Sequence, residues 1–138
     1  MSVQEISQLF YAIKLIDQKI TKLFETKTGL SVTRYELMLF LKKHQPCLQT
    51  EIQEQLQIDQ GAVTRHLKIL EEKDYVTRRR YPANNREIFV HLTEKANKAL
   101  KGCEYNHNTL TQIIQPDFTQ EDCQQLQQLL IKLEKNIE

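Results

Sequence analysis

Apolar residues recur at helical spacing along most of the chain. Ile6, Leu9, Ile13, Ile16, Ile20 and Leu23 alternate between intervals of three and four. That is the a/d seam of a heptad pattern, widened by Phe10 and Phe24. The helix it predicts ends near Thr28 and Gly29, where glycine can take a left-handed cap. A second helix starts at Ser31 or Thr33 and runs to residue 43. Thr33 and Glu36 have capping-box spacing, Val32 and Leu37 are staple positions, and Ser31 is an equally allowed cap. Two short helices follow between Pro46 and Pro82. One spans about 49–57 and buries Ile52 and Leu56. The next is capped by Asp59, runs to about residue 73 and buries Val63, Leu67 and Leu70. Only Ile58 and Asp59 link them, the tight connection of a helix-turn-helix.

The period then changes from helical to alternating. Residues 75–80 are strand-like and residues 81–85 have turn chemistry. In residues 86–92, Ile88, Val90 and Leu92 share one face while Glu87, Phe89 and His91 share the other. A β-hairpin with a polar tip directly after a helix-turn-helix is a wing. From Thr93, a further helix carries Ala96, Ala99, Leu100, Cys103, Leu110, Ile113 and Ile114 and stops before Pro116. A last helix starts at Thr119, with Phe118 and Cys123 as a staple, and packs through Leu126, Leu129, Leu130, Leu133 and Ile137. The fold class expected is mainly α with a small β-wing. It comprises a winged helix-turn-helix lobe at 31–93, with flanking helices at 1–30 and 94–138, in one domain.

Composition narrows the function. The 138 residues and 16.4 kDa suit a single domain. At 40% hydrophobic residues the chain is too apolar for disorder, and a mean hydropathy of −0.55 is too polar for a membrane protein. The longest apolar run, residues 37–41, is far short of the ~20 residues a membrane span needs. With no leader pattern, a cytoplasmic protein is expected. Cys47, Cys103 and Cys123 are an odd set without a CxxC, which argues against a disulfide framework or a zinc ribbon. His44, His66, His91 and His107 have no metal-site spacing, so no metal or cofactor is expected. HExxH and GxSxG are absent, and three glycines leave little for a phosphate-cradling loop. An enzyme therefore ranks well below a binding protein.

The chemistry lies in the second helix of the helix-turn-helix and in the wing. Gly61 and Ala62 permit close approach to a major groove. Gln60, Thr64, Arg65 and Lys68 point outward at helical spacing while Val63 and Leu67 point inward. The wing adds Arg78, Arg79, Arg80 and Arg86, cations suited to phosphates or a minor groove. In isolation such a run is as readily a solvated strand face; after a recognition-type helix the DNA reading is favoured. The net charge of +1 hides a segregation. Residues 62–91 hold seven Lys and Arg against four acidic residues, whereas residues 94–138 hold five against seven.

These segments resemble the MarR (multiple antibiotic resistance regulator) family of winged-helix transcriptional regulators. Ala62-Val63-Thr64-Arg65 is similar to its recognition helix. Leu67-Lys68-Ile69-Leu70-Glu71-Glu72-Lys73-Asp74-Tyr75-Val76-Thr77-Arg78 matches the pattern L..LE.KG.V.R, and Arg86-Glu87-Ile88-Phe89-Val90-His91-Leu92-Thr93 matches R...V.LT. The resemblance implies DNA contacts from Thr64, Arg65 and Arg86. It also implies a homodimer formed by the first and last two helices, acting as a repressor on a pseudo-palindromic operator of double-stranded DNA. The chain departs from the pattern at Asn84, where the family has Asp, and at Asp74, where it has Gly. A small aromatic effector would find Phe10, Phe24, Tyr35, Phe40 and Tyr105 as pocket candidates, although core packing explains those aromatics equally well. Cys47, in a loop beside Pro46, is the candidate redox-sensing thiol for an oxidant effector, and Cys103 and Cys123 are expected to be core thiols. The rival reading is a winged-helix module that binds protein rather than DNA.

Overall fold

In the computed structural model the chain forms α1 (Val3–Thr28), α2 (Val32–His44), β1 (Cys47–Leu48), α3 (Gln49–Leu56), α4 (Gln60–Glu72), β2 (Val76–Tyr81), β3 (Asn84–Leu92), α5 (Glu94–Tyr105), α6 (His107–Ile114) and α7 (Gln120–Lys135). Residues 1–81, 83–105, 107–114 and 116–137 are described; for Asn84, Asn85, Tyr105, His107, Asn108 and Thr109 only the backbone is. The chain divides into two compact units, Met1–Tyr105 and Asn106–Glu138. The single helix expected from Thr93 to Pro116 is assigned as α5 and α6, on either side of Asn106, which lies outside the described residues.

Local chemistry sets the helix boundaries. Ser2 and Glu5 close a reciprocal capping box on α1, and Gly29 ends it in the left-handed region at φ 77°. Of the two caps weighed for α2, Ser31 is used, its hydroxyl accepting from the Arg34 amide at 3.1 Å. Asp59 caps α4, its carboxylate accepting from the Ala62 amide at 2.7 Å. Thr119 and Asp122 form a second capping box at the start of α7.

The core belongs to the first unit. Leu37, Met38 and Leu41 of α2, Ile52 of α3, and Val63, Leu67 and Leu70 of α4 are buried together. Val76, Val90 and Leu92 of the sheet and Ala96, Leu100 and Cys103 of α5 complete it. The inward positions of the helix-turn-helix and the wing are therefore those the apolar periodicity marks. The sheet has three antiparallel strands in the order β1-β3-β2. β1, which has no signature in the sequence, pairs Cys47 with Val90 and Leu48 with Phe89. This short edge strand ties the segment before α3 to the wing.

Helix α1 has no buried residue. Leu9, Phe10, Ile16 and Ile20 are exposed, so its heptad seam is not spent on a core of its own. Its last turns do engage the lobe. Phe24 meets Tyr35 edge-on at 5.3 Å between centroids, and Glu25 lies 3.9 Å from the Arg34 guanidinium. In the second unit, Leu126, Leu129, Leu130 and Ile137 of α7 and its end are likewise exposed. Cys123, expected in a core, is exposed as well, because it lies on a helix with no buried residue of its own.

Candidate nucleic-acid interface

Helix α4 is held by one face and offers the other. Val63, Leu67 and Leu70 are fully buried, while Gln60, Gly61, Thr64, Arg65 and Lys68 are exposed and Ala62 is half-buried. The turn before it is made by Gln57, which takes a left-handed conformation at φ 55°, followed by Ile58 and the Asp59 cap. Gly61 sets the local geometry. A Cβ there would stand 3.2 Å from the Asp59 carboxylate and 3.3 Å from the Arg65 guanidinium, so glycine lets Arg65 lie back along the start of the helix.

Three further contacts shape α4, and none was read from the sequence. Gln49, at the start of α3, donates through Nε2 to Thr64 Oγ1 at 3.2 Å. Thr64 Oγ1 in turn donates to the Gln60 carbonyl at 3.0 Å. On the other side of α4, the half-buried His66 ring lies 3.4 Å from Arg34 Nη1 through Nδ1. Burial, then the charges of Arg34 and Arg65, hold the His66 pKa below its ordinary 6.5. Glu25, Arg34 and His66 thus form a polar chain from α1 through α2 to the exposed helix.

A family model for the MarR family matches residues 30–88. Across nearly the full length, the chain is 31% identical over 133 residues to an uncharacterised HTH-type transcriptional regulator, YdgJ, of Bacillus subtilis, covering 96% of this chain and 81% of that one. The chain belongs to the MarR family of transcriptional regulators. Two solved MarR-type structures share its fold. One is the transcriptional repressor CouR bound to a 23-mer DNA duplex (TM-score 0.81, 21% identity, 97% of this chain and 98% of that one). The other is a MarR mutant from E. coli complexed with operator DNA (TM-score 0.77, 23% identity, 96% and 99%). The matched proteins are regulators, not enzymes.

The MarR wing stands beside α4. β2 and β3 pair from Val76 with Leu92 to Arg79 with Phe89, and the register shifts between Arg79 and Tyr81. Arg79, Arg80 and Arg86 are exposed. Arg78, expected among the DNA-contacting cations, is instead tied to Glu71 of α4. Its Nε donates to Glu71 Oε1 at 2.6 Å and its Nη2 reaches the same oxygen. The reason is strand parity: positions 76 and 78 face the helices, and position 79 faces away. On the outward side, Tyr81 stacks edge-on with Phe89 at 4.9 Å, and its hydroxyl lies 3.3 Å from His91 Nε2. The side chain of Asn84, one of the two departures from the family pattern, lies outside the described residues.

Asp74, the other departure, takes the left-handed conformation that favours glycine, at φ 60°. The Tyr75 amide donates to the Leu70 carbonyl at 2.8 Å and the Asp74 amide to that of Glu71 at 2.9 Å, the paired bonds of a Schellman cap.

Cys47, expected to be exposed, is fully buried, because β1 pairs it with Val90 and places it in the core cluster. Its thiol lies 3.4 Å from Glu51 Oε2. Burial, then the hydrogen bond and charge of Glu51, push its pKa up to about 12, which keeps it a protonated, poorly nucleophilic thiol. Among the described residues no three His, Cys, Asp or Glu side chains converge as metal ligands, and no helix is long and apolar enough to cross a membrane.

Proposed function

We propose that this MarR-family chain is a homodimeric repressor. Its α4 reads the major groove of a pseudo-palindromic operator through Gln60, Ala62, Thr64, Arg65 and Lys68. Arg79, Arg80 and Arg86 of the wing hold the flanking phosphates or minor groove. The observation that carries this reading is the division of α4 into a locked apolar face and an exposed polar one beside a basic wing. Dimerisation through α1 and the C-terminal helices, on 1–30 and 94–138, is supported by the exposed apolar residues on α1 and α7. A two-fold operator needs two recognition helices about 34–36 Å apart, and one lobe carries a single one.

Repression would follow from occupying a promoter in the cytoplasm. Release would follow from an effector that changes the spacing of the two helices. Of the two effector classes the sequence raises, burial of the Cys47 thiol disfavours an oxidant acting at that residue; the other is a small aromatic molecule. Phe24 and Tyr35 already stack on each other, so such a ligand would have to displace or extend that pair.

The test is enrichment of duplexes from a random pool by the full-length protein, then titration of the enriched duplex at rising salt. Enrichment of an inverted repeat and a steep fall in affinity with salt are expected. Failure to enrich any duplex at low salt would favour the protein-binding reading of the winged helix.

A further inference from the structure

The pair of hydrogen bonds at Thr64 determines what that residue can say to a base. A hydroxyl has one proton, and that of Thr64 goes to the Gln60 carbonyl, which can only accept. Gln49 then donates its amide into the same oxygen from α3. The amide orientation is set by the same logic. Turned over, Gln49 would offer an oxygen to Thr64, one of the two bonds would be lost, and a donor rather than the carbonyl oxygen would be left without a partner in the interior. Thr64 therefore has no donor left for the groove. With its oxygen drawn toward the helix and α3, the exposed remainder of the side chain is its methyl.

We infer that Thr64 reads a thymine through methyl-to-methyl contact in the major groove, and that Gln49 is the positioning residue that fixes this presentation. The inference rests on the DNA-reading role of α4 proposed above. Thymine is the one base with a 5-methyl in that groove, and apolar contact is how it is distinguished there. A threonine free to rotate could instead donate to a guanine or thymine oxygen, so the Gln49 contact restricts the side chain to one of its two messages.

The experiment uses the full-length protein and a duplex it enriches from a random pool, with each thymine replaced in turn by uracil, which lacks only the methyl. Wild type is expected to lose about threefold to fivefold in affinity at one position per half-site, the value of one buried methyl. Thr64→Val, which keeps a methyl and loses the hydroxyl, should retain that ratio. Thr64→Ser, which loses the methyl, should bring it to about one. Gln49→Ala removes the donor and leaves the Thr64 side chain free to turn, so the ratio should fall toward one. Because each ratio compares two duplexes on one variant, a general change in affinity or fold cancels, and circular dichroism checks that the variants are folded. Wild type indifferent to every uracil, or Thr64→Ser sensitive where Thr64→Val is not, would overturn the inference while leaving DNA binding intact. An unchanged ratio in Gln49→Ala would overturn the role of Gln49. A protein that enriches no duplex would overturn the DNA reading itself, and this inference with it.

Discussion

Asp74 sits where the MarR pattern has glycine and adopts glycine's conformation, at φ 60°. An L-residue there is strained, though aspartate less than most. Asp74→Gly should therefore raise stability by roughly 0.5–1 kcal/mol, seen as a higher Tm in calorimetry. His66 acts through protonation. With its folded-state pKa held below 6.5, the unfolded chain takes up a proton near that pH which the folded chain refuses. Stability therefore rises with pH through this window, and is lost as pH falls from above 6.5 toward the depressed folded-state value. Tm should be lower at about pH 5.5 than at about pH 7.5, and His66→Gln should flatten the difference. The thiols give a simpler readout. Cys47 and Cys103 are buried with pKa values raised first of all by burial. In the folded protein both should resist a thiol reagent that labels them after unfolding.

At the scale of elements, the wing and the recognition helix are one unit because Arg78 and Glu71 join them. Arg79, on the opposite strand face, is exposed. Arg79→Ala should weaken binding to all sequences alike and reduce the salt slope by about one. Arg78→Ala should lower affinity through a loosened wing and leave the slope unchanged, since its charge is already neutralised. Equal slopes for both variants would contradict that division. On α4, Arg65→Ala should cost on the order of 1–3 kcal/mol and relax base preference. Most of the helices, the caps at Gly29, Asp59 and Thr119 and the inward face of the wing were legible from spacing alone, since Val63, Leu67, Leu70, Val90 and Leu92 each repeat at the period of their element; the Ser2 capping box and the division into α5 and α6 were not. The chosen cap at Ser31 was one of two that spacing allowed. β1 was invisible: two residues beside a proline have no period, and their strand character exists only through pairing with β3.

For the whole molecule, α1 and α7 each leave apolar residues exposed. Leu9, Phe10, Ile16 and Ile20 on α1, and Leu126, Leu129 and Leu130 on α7, are exposed at helical spacing. If they form the proposed dimer, Ile16→Asp should shift sedimentation equilibrium toward monomer. Affinity for a full inverted repeat should then fall much further than affinity for a half-site, because the second recognition helix is no longer held in register. The net charge of +1 averages an excess of basic residues on the lobe that carries α4 and the wing with an excess of acidic ones on the C-terminal helices.

Neighbouring residues alone were enough to locate most of the helices and the caps at Gly29, Asp59 and Thr119, because those depend on contacts three or four positions apart. They were also enough to mark α4 and the wing as the candidate interface, since outward polar positions follow once the apolar face is known. The contacts that refine the site are different. Gln49 with Thr64 spans 15 positions, Arg34 with His66 spans 32, and the Leu92 amide with Gln45 spans 47. Burial of Cys47 likewise depends on a strand more than 40 positions away. Such pairs come together only when the chain closes on its core, so the hydrogen-bond state of Thr64, the tie on Arg78 and the silence of Cys47 are properties of the packed molecule.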